Sequence, residues 1–594
     1  MILLLLACND YELTPSNDVG HGERDTAACD ALEALDYSVQ KNQDCVNEPS
    51  VGTFDPVIEW QWNENTLNPG YDDIMAAPAV GHVTDDDWDG DVDEDDVPDI
   101  VFTTFSGGAY TSAGTLQAIS GDGSGTHFSI SSIGGHGFYA SSGVAIGDLE
   151  SDGIPEICVS GTTAAVVCIS LYNGIPALKF ASGTELYGYG CPSIADMDGD
   201  GLAEVIFGRQ IFDYQGNLVG LGEYGSGRSM SFAVDTDGDH QLELVTGNAI
   251  YERDGATSWT DGGYDGIPAV ADFDLDGIPE HVRSGDGYVT VTWLDGSQSW
   301  RTQIPGGGSG GPPTVADFDG DGLPEVGVAA LSYYTVYDTN GEVLWSNPVS
   351  DYSSSVTGSA VFDFEADGDA EVVYTDEHTL WIFEGLTGEV LMAQEGHASG
   401  TLYEYPLIAD VDGDGSTEIV VASNNYAYSG WNGITVIGDA NSSWAPARPV
   451  WNQFAYHITN IENDNGVPVE QTPNWLTWNS FRAGGSELGP SHWLPDLVVG
   501  EPELCYDECF YDRMIVQVAV ENRGLGGVQD IELHVGDVVQ TMSLKAGDAT
   551  WSAPVTVNAE AWGEELIIVV NPEDLLGDCQ PQDNRRSLGP WPCE

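Results

Sequence analysis

Basic residues are scarce in this chain: 15 Lys and Arg stand against 97 Asp and Glu in 594 residues, a formal net charge of −82. That balance argues against nucleic acid as a partner, because phosphate recognition needs clustered cations. A polybasic membrane patch is disfavoured on the same ground. Long apolar runs are missing too. No stretch of about 20 apolar residues occurs, so no transmembrane helix is expected. HExxH, P-loop and Rossmann fingerprints are absent, and the eleven His form no ligand pair. Gly307 to Gly311 spell GxSxG, but in a Gly-rich turn before a strand rather than at a strand-to-helix elbow, which makes it a chance match. Cys505 and Cys509 lack the second CxxC or His pair that a zinc site needs.

What is present points to β structure. Gly is abundant at 74 residues, which suits tight turns and short strands better than long helices. Hydrophobic residues make up 41% and Trp numbers 17, too apolar a composition for disorder.

One acidic pattern recurs eight times, beginning at Asp91, Asp148, Asp196, Asp235, Asp272, Asp317, Asp363 and Asp410, at a mean spacing of about 46 residues, the scale of a propeller blade. Acids stand at positions 1, 3, 5 and 9, Gly at 6, and an apolar residue commonly at 7. Such a loop suits Ca²⁺, which takes six to eight hard oxygens at roughly 2.3–2.6 Å. Alternate carboxylates point inward, position 6 turns with positive φ, position 7 offers its carbonyl, and the acid at 9 closes the sphere. Without a cation, four carboxylates this close would repel one another. The expected ligands are Asp91, Asp93, Asp95, Val97 and Asp99; Asp148, Glu150, Asp152, Ile154 and Glu156; Asp196, Asp198, Asp200, Leu202 and Glu204; Asp235, Asp237, Asp239, Gln241 and Glu243. They continue with Asp272, Asp274, Asp276, Ile278 and Glu280; Asp317, Asp319, Asp321, Leu323 and Glu325; Asp363, Glu365, Asp367, Asp369 and Glu371; and Asp410, Asp412, Asp414, Ser416 and Glu418. His240 replaces Gly in the fourth loop, which is expected to be the weakest site, and Asp96 replaces Gly in the first. The first region has overlapping frames, since Asp85, Asp87 and Asp89 also fit. It holds either two ions or one site with an insertion.

An EF-hand is ruled out, because position 12 from Asp317 is Val328 and the flanks read as strands. The pattern resembles the FG-GAP/VCBS repeat of integrin-α-like β-propellers, where a calcium loop joins the first two strands of a blade. The resemblance covers residues 56–485 and implies up to about eight Ca²⁺ ions. Phe-Gly and Gly-Ala-Pro signatures are largely missing, so integrin ligand binding is not implied. Residues 57–62, Val-Ile-Glu-Trp-Gln-Trp, look like an isolated outer strand, while the last repeat lacks one. Pairing the two would close the ring and protect a sheet edge, favouring eight blades over the alternative of seven.

Residues 444–482 are rich in aromatics: Trp444, Trp451, Phe454, Tyr456, Trp475, Trp478 and Phe481, with Arg448 and Arg482. Exposed, they would stack on sugar rings. Buried, the favoured reading, they would cap the last blade. Residues 494–594 change texture to alternating strands, an Ig-like β-sandwich. The Pro495-Asp-Leu-Val-Val start and the Val520-Glu-Asn-Arg-Gly segment resemble the CARDB module of bacterial surface proteins. At the other end, Leu5-Leu6-Ala7-Cys8 resembles a bacterial lipobox, which implies acylation of Cys8, although the preceding apolar run is short and no Lys or Arg precedes it. Residues 9–55 then read as a polar tether. Neighbouring apolar stretches pair Cys158 with Cys168; Cys29 with Cys45 would close a small loop; Cys505, Cys509, Cys579 and Cys593 make two bridges; Cys191 is left over.

The chain is thus expected to be all-β: a calcium-binding propeller followed by a sandwich, in the bacterial envelope, lipid-anchored or secreted, at the outer membrane or cell surface. Its expected function is binding or adhesion to a glycan or surface protein, with membrane contact only through the lipid. A polysaccharide-active lyase or hydrolase and a structural envelope protein are the alternatives, and an enzyme is the less favoured of the readings.

Overall fold

A computed structural model describes residue 39 and residues 54–593, apart from short stretches at 87–89, 173, 184–187, 227–229, 297–298, 367–369, 486–494, 507–508, 525–527, 546 and 573–577. The lipobox with Cys8, the Cys29–Cys45 pair, most of the tether, and Asp87, Asp89, Asp367 and Asp369 lie outside the described residues. Two compact units divide at Leu494/Pro495. Val39 belongs with the second, where its N–H donates to the Gly547 carbonyl at 3.3 Å.

The larger unit contains eight antiparallel sheets, each with an acidic segment between its first two strands. The sixth is representative: Thr314–Ala316, Glu325–Ala329, Tyr333–Tyr337 and Val343–Pro348 pair in sequence order. Its second strand is buried on both faces, which explains why Val326, Gly327, Val328 and Ala329 form an apolar run rather than an alternation. Outer strands do alternate, as in Ser299–Gln303 and Val390–Glu395, because one face meets solvent. The Asn340-Gly341 hairpin forms as expected: Gly341 has φ 79° and donates to the Asp338 carbonyl at 2.9 Å. A Cβ there would lie 2.6 Å from the Trp300 ring, so the turn needs glycine for space as well as conformation.

Sheet eight is assembled from both ends of the unit. Leu407–Ala409, Glu418–Ser423 and Gly433–Asp439 are completed by Pro56–Trp62, which pairs antiparallel with Gly433–Asp439. The expected closing strand is therefore in place. Sheet one is larger, with six strands: Ala79–Gly81, Asp99–Thr104, Ala113–Ser120, Thr126–Ile130, Ser132–Ile133 and His136–Tyr139.

Residues 444–485 do not cap the last blade. They run past the first strand of every sheet. Trp451 and Val80 exchange N–H···O bonds of 2.9 and 3.0 Å, and the Asn452 carbonyl accepts Ile146 N–H at 2.9 Å. Gln453 Oε1 accepts Ile194 N–H at 2.8 Å, and Phe481 lies 4.6 Å from Phe232 between ring centroids. Asn479 Oδ1 accepts Asp272 N–H at 2.8 Å, Phe481 pairs with Val315, Gly484 donates to Val361, and Asp410 donates to Arg448. One segment can meet eight first strands only if those strands surround it, so the segment fills the centre of the ring. Trp444, Trp451, Phe454, Tyr456, Trp475 and Phe481 are buried there, as expected; Trp478 is exposed. Arg482 is fully buried and donates to the carbonyls of Phe454, Pro313 and Pro268.

The smaller unit has three antiparallel sheets around one core that includes Leu497, Val516, Val520, Leu533, Val557, Trp562 and Ile568. Cys509 is bonded to Cys593, and Cys505 and Cys579 are also disulfide-bonded. In the larger unit Cys158 and Cys168 face each other across a strand pair and are bonded, while Cys191 is free and buried. The only α-helix among the described residues is Ala559–Trp562, and none of their helices is long and apolar enough to cross a membrane.

Candidate metal loops and a tyrosine rim

Each acidic loop starts where a short first strand ends, and two hydrogen-bond patterns then shape it. The position-1 Asp accepts backbone N–H groups from its own loop: Asp196 from Gly199, Asp200 and Gly201, and Asp272 from Asp276 and Gly277, at 2.7–3.2 Å. The position-9 acid, first on the second strand, reaches back to the N–H of position 2. Glu156, Glu204, Glu243, Glu280, Glu325, Glu371 and Glu418 do this to Leu149, Met197, Thr236, Phe273, Phe318, Phe364 and Val411, at 2.7–3.1 Å. One Glu oxygen is thereby occupied by backbone, and in loops three and six Glu204 and Glu325 also bring an oxygen among those of the loop acids.

Ligand atoms converge as the spacing implies. Within 4.8 Å of one another lie oxygens of Asp196, Asp198 and Glu204; of Asp235, Asp237 and Asp239; of Asp272, Asp274 and Asp276; and of Asp317, Asp319 and Glu325. Burial, reinforced by neighbouring carboxylates, pushes Glu280 and Glu325 up to about 8. Burial pushes Glu156, Glu204 and Glu243 to about 7, and Glu418 well above the usual carboxylate range. Hard oxygens crowded until they hold protons near neutrality fit a divalent cation, which would stabilise their charged form.

The departures behave differently. His240 adopts φ 69°, close to the 79–91° of Gly153, Gly201, Gly277, Gly322 and Gly415 at the same position, and still donates to Asp235 Oδ2 at 3.0 Å. Loop four therefore keeps its shape despite losing the glycine. In loop one the N–H that binds Asp99, at 3.0 Å, belongs to Val83. Position 1 is then His82, directly after the strand Ala79–Gly81, and the segment is one elongated loop rather than a copy starting at Asp91. Asp96 does not replace a turning glycine there; its carboxylate is buried and accepts the N–H groups of Asp86 and Asp93. Asp85 and Asp93 are partly exposed, Asp91 and Asp95 exposed, while Asp86, Asp99 and His127 form a cluster that sequence spacing did not single out. His127 comes from the neighbouring strand Thr126–Ile130, so no local pattern could reveal it.

Position-7 residues Val97, Ile154, Leu202, Gln241, Ile278, Leu323 and Ser416 all lie in loop backbone just before the second strand. Asp152, Asp200, Asp321 and Asp414, at position 5, each accept the following position-7 N–H at 2.7–3.0 Å. Asp319, Asp410 and Asp412 take their expected places in loops six and eight, as Asp363 and Glu365 do in loop seven.

The opposite end of the ring carries another feature. Antiparallel connectivity sends the links between strands two and three, and between consecutive sheets, to the end away from the acidic loops. Tyrosines cluster on those links and beside them, Tyr139 ending the strand His136–Tyr139. Tyr189 lies 6.3 Å from Tyr139 and 6.2 Å from Tyr403, and Tyr110 lies 5.0 Å from Tyr426, between ring centroids. Tyr189 and Tyr426 are 37% and 48% exposed, so the rim presents aromatic surface to solvent. Carboxylates on the same end are buried and engaged: Asp351 by Thr357 and Thr401, Glu377 by Ser350 and Ser353, and Glu404 by Ser399 and Leu402 N–H.

A family model of the FG-GAP-like repeat matches residues 272–328, which span loops five and six. Among solved structures, the biofilm matrix protein Bap1 of V. cholerae is 22% identical, with a TM-score of 0.67, over 73% of this chain and 100% of that one. Rhamnogalacturonan lyase YesW is 15% identical, with a TM-score of 0.43, over 67% of this chain and 75% of that one. No curated protein sequence matches the chain. The likeness to Bap1 is one of fold, and with the ring of sheets it identifies the larger unit as a β-propeller.

Proposed function

We propose that this chain is an exported, calcium-braced surface protein whose eight sheets are propeller blades and whose smaller unit is an Ig-like, CARDB-related sandwich. Its activity is binding or adhesion, with a lipid anchor at Cys8, and its ligand is a neutral glycan held on the tyrosine rim. The observation that carries this reading is the division of the ring into two ends. One end gathers acidic loops suited to holding the fold with cations, and the other presents exposed aromatic rings. Base-free aromatic faces stack on sugar rings through their C–H-rich surfaces, and Tyr adds a hydroxyl donor at low entropic cost. A net charge of −82 disfavours polyanions, since full loading of eight sites would leave the protein strongly negative.

Buried carboxylates at the rim are held by hydroxyl and N–H groups of their own and neighbouring links rather than presented as an acid–base pair, which favours binding over hydrolysis or elimination. The test is a glycan array with calcium and with EDTA, repeated with Tyr189→Ala and Tyr426→Ala. Binding to neutral glycans that both substitutions weaken supports the reading. Binding only to free polyanions in EDTA at low salt, or binding indifferent to both tyrosines, overturns it.

A further inference from the structure

The acidic loops are alike in sequence but differ in what faces their carboxylates. In loop two, Lys179 of the strand Ile175–Ala181 reaches both Glu150 at position 3 and Glu156 at position 9; its Nζ is 3.4 Å from Glu156 Oε1. In loop three, Arg253 crosses from the turn after Ala249–Tyr251 in the next sheet. Its two terminal nitrogens lie 3.2 Å from Asp198 Oδ2 and 2.7 Å from Glu204 Oε1, again positions 3 and 9. Among the described residues, no Lys, Arg or His forms an ion pair with the acids of loops four, five or six.

These two cations take the oxygens that an ion would need. In each loop one oxygen of the position-9 Glu is committed to backbone N–H, so the inward oxygen is Oε1, the atom Lys179 and Arg253 approach. A calcium ion would have to bind the same oxygens at roughly 2.3–2.6 Å with a like charge beside it. The use is selective, because the whole chain has only 15 Lys and Arg. Both residues bring charge from outside the nine-residue pattern: Lys179 from a strand 29 positions beyond Glu150, Arg253 from 49 positions beyond Glu204.

Resting on the calcium reading of the other loops, we infer that loops two and three are neutralised internally by Lys179 and Arg253 and stay free of calcium at concentrations that fill loops four to six. Their calcium affinity is at least ~100-fold weaker, because a fixed positive charge sits within contact distance of the ion's position. The protein binds no more than six ions, although eight loops carry the pattern. Arg253→Met leaves the loop-three carboxylates gathered, with Asp198 Oδ1 already buried and without a hydrogen-bond partner, and so opens a site.

The experiment counts bound calcium by native mass spectrometry and equilibrium dialysis on the full chain. Lys179→Met and Arg253→Met are each expected to raise the count by one, and Arg253→Lys to leave it unchanged. Asp276→Asn in loop five is expected to lower the count by one, whereas Asp152→Asn in loop two leaves it as it was. The last two comparisons hold even if a Met variant misfolds. A wild-type count of eight, or a loss of one ion with Asp152→Asn, overturns the inference while leaving the calcium reading intact. A wild type that binds no calcium overturns the calcium reading itself, and with it this inference.

Discussion

The two units solve the same problem in different chemistry. Both are built from short strands joined by many connections, and short strands alone bury little. The smaller unit gathers one apolar core and cross-links its ends through Cys509–Cys593 and the bonded Cys505 and Cys579. The larger unit spreads its core over several clusters and packs carboxylates into its loops, with a buried segment down the middle. Covalent links restrict the unfolded chain whatever the solvent contains. Clustered carboxylates stabilise only when a cation or a proton answers their charge. The difference teaches that the larger unit should sense its ionic surroundings and the smaller one the redox state.

Removing calcium is the harshest way to break that comparison. In the metal-bound protein each filled site contributes about 2.7 kcal/mol when free calcium is a hundredfold above its Kd. Calorimetry in EDTA against millimolar calcium should therefore move the larger unit's transition down by well over ~10 °C and leave the smaller unit's nearly in place. A reductant should mainly lower the smaller unit's transition. Equal curves with and without calcium would sink the metal assignment.

Arg482 probes the centre. Its guanidinium answers three carbonyls and lies 4.8 Å from the Phe481 ring centroid, with no exposure. Arg482→Met takes the guanidinium donors from the Pro313 and Pro268 carbonyls, while Phe454 keeps Tyr405 Oη, at about 1–3 kcal/mol for each carbonyl deprived before relaxation. Urea unfolding should show a loss of about 3 kcal/mol or more in the larger unit and none in the smaller. A change within 0.5 kcal/mol would mean that the central segment is not what the first strands depend on.

pH sharpens the comparison further. Burial pushes Glu404 up to about 7 from the ordinary 4.5. A folded pKa above the unfolded one means the contribution is fully present below about 4.5 and is lost as pH rises through about 7. At constant calcium, the larger unit's melting temperature should therefore fall between about pH 5 and 7 more in the wild type than in Glu404→Gln. Parallel slopes for the two proteins would remove Glu404 as a cause.

The smallest expected effect is a gain. His240 holds a left-handed backbone that costs a residue with a Cβ about 1 kcal/mol. His240→Gly should raise the larger unit's stability by about that much, read from the urea midpoint. A loss would show that the imidazole itself supports loop four.

What could be read without coordinates was local. An Asp that accepts N–H groups three to five residues ahead, a turn at position 6 and a Glu that reaches back seven residues are all contained within nine positions, so the pattern carries its own geometry. The closing strand was legible for a related reason: Val57 to Trp62 lacked local partners, and the last repeat lacked an outer strand. Loop one stayed ambiguous because Asp85 to Asp95 supplies acids in several frames, and only the Val83–Asp99 bond selects the register. Tertiary structure alone decided where residues 444–485 go, since Trp451 meets Val80 and Arg482 meets Pro268 across hundreds of residues. It also decided which carboxylates face a protein cation. Spacing within a loop specifies where its oxygens point, but the charge that answers them arrives from a strand or turn elsewhere in the chain, and no periodicity within the loop encodes that meeting.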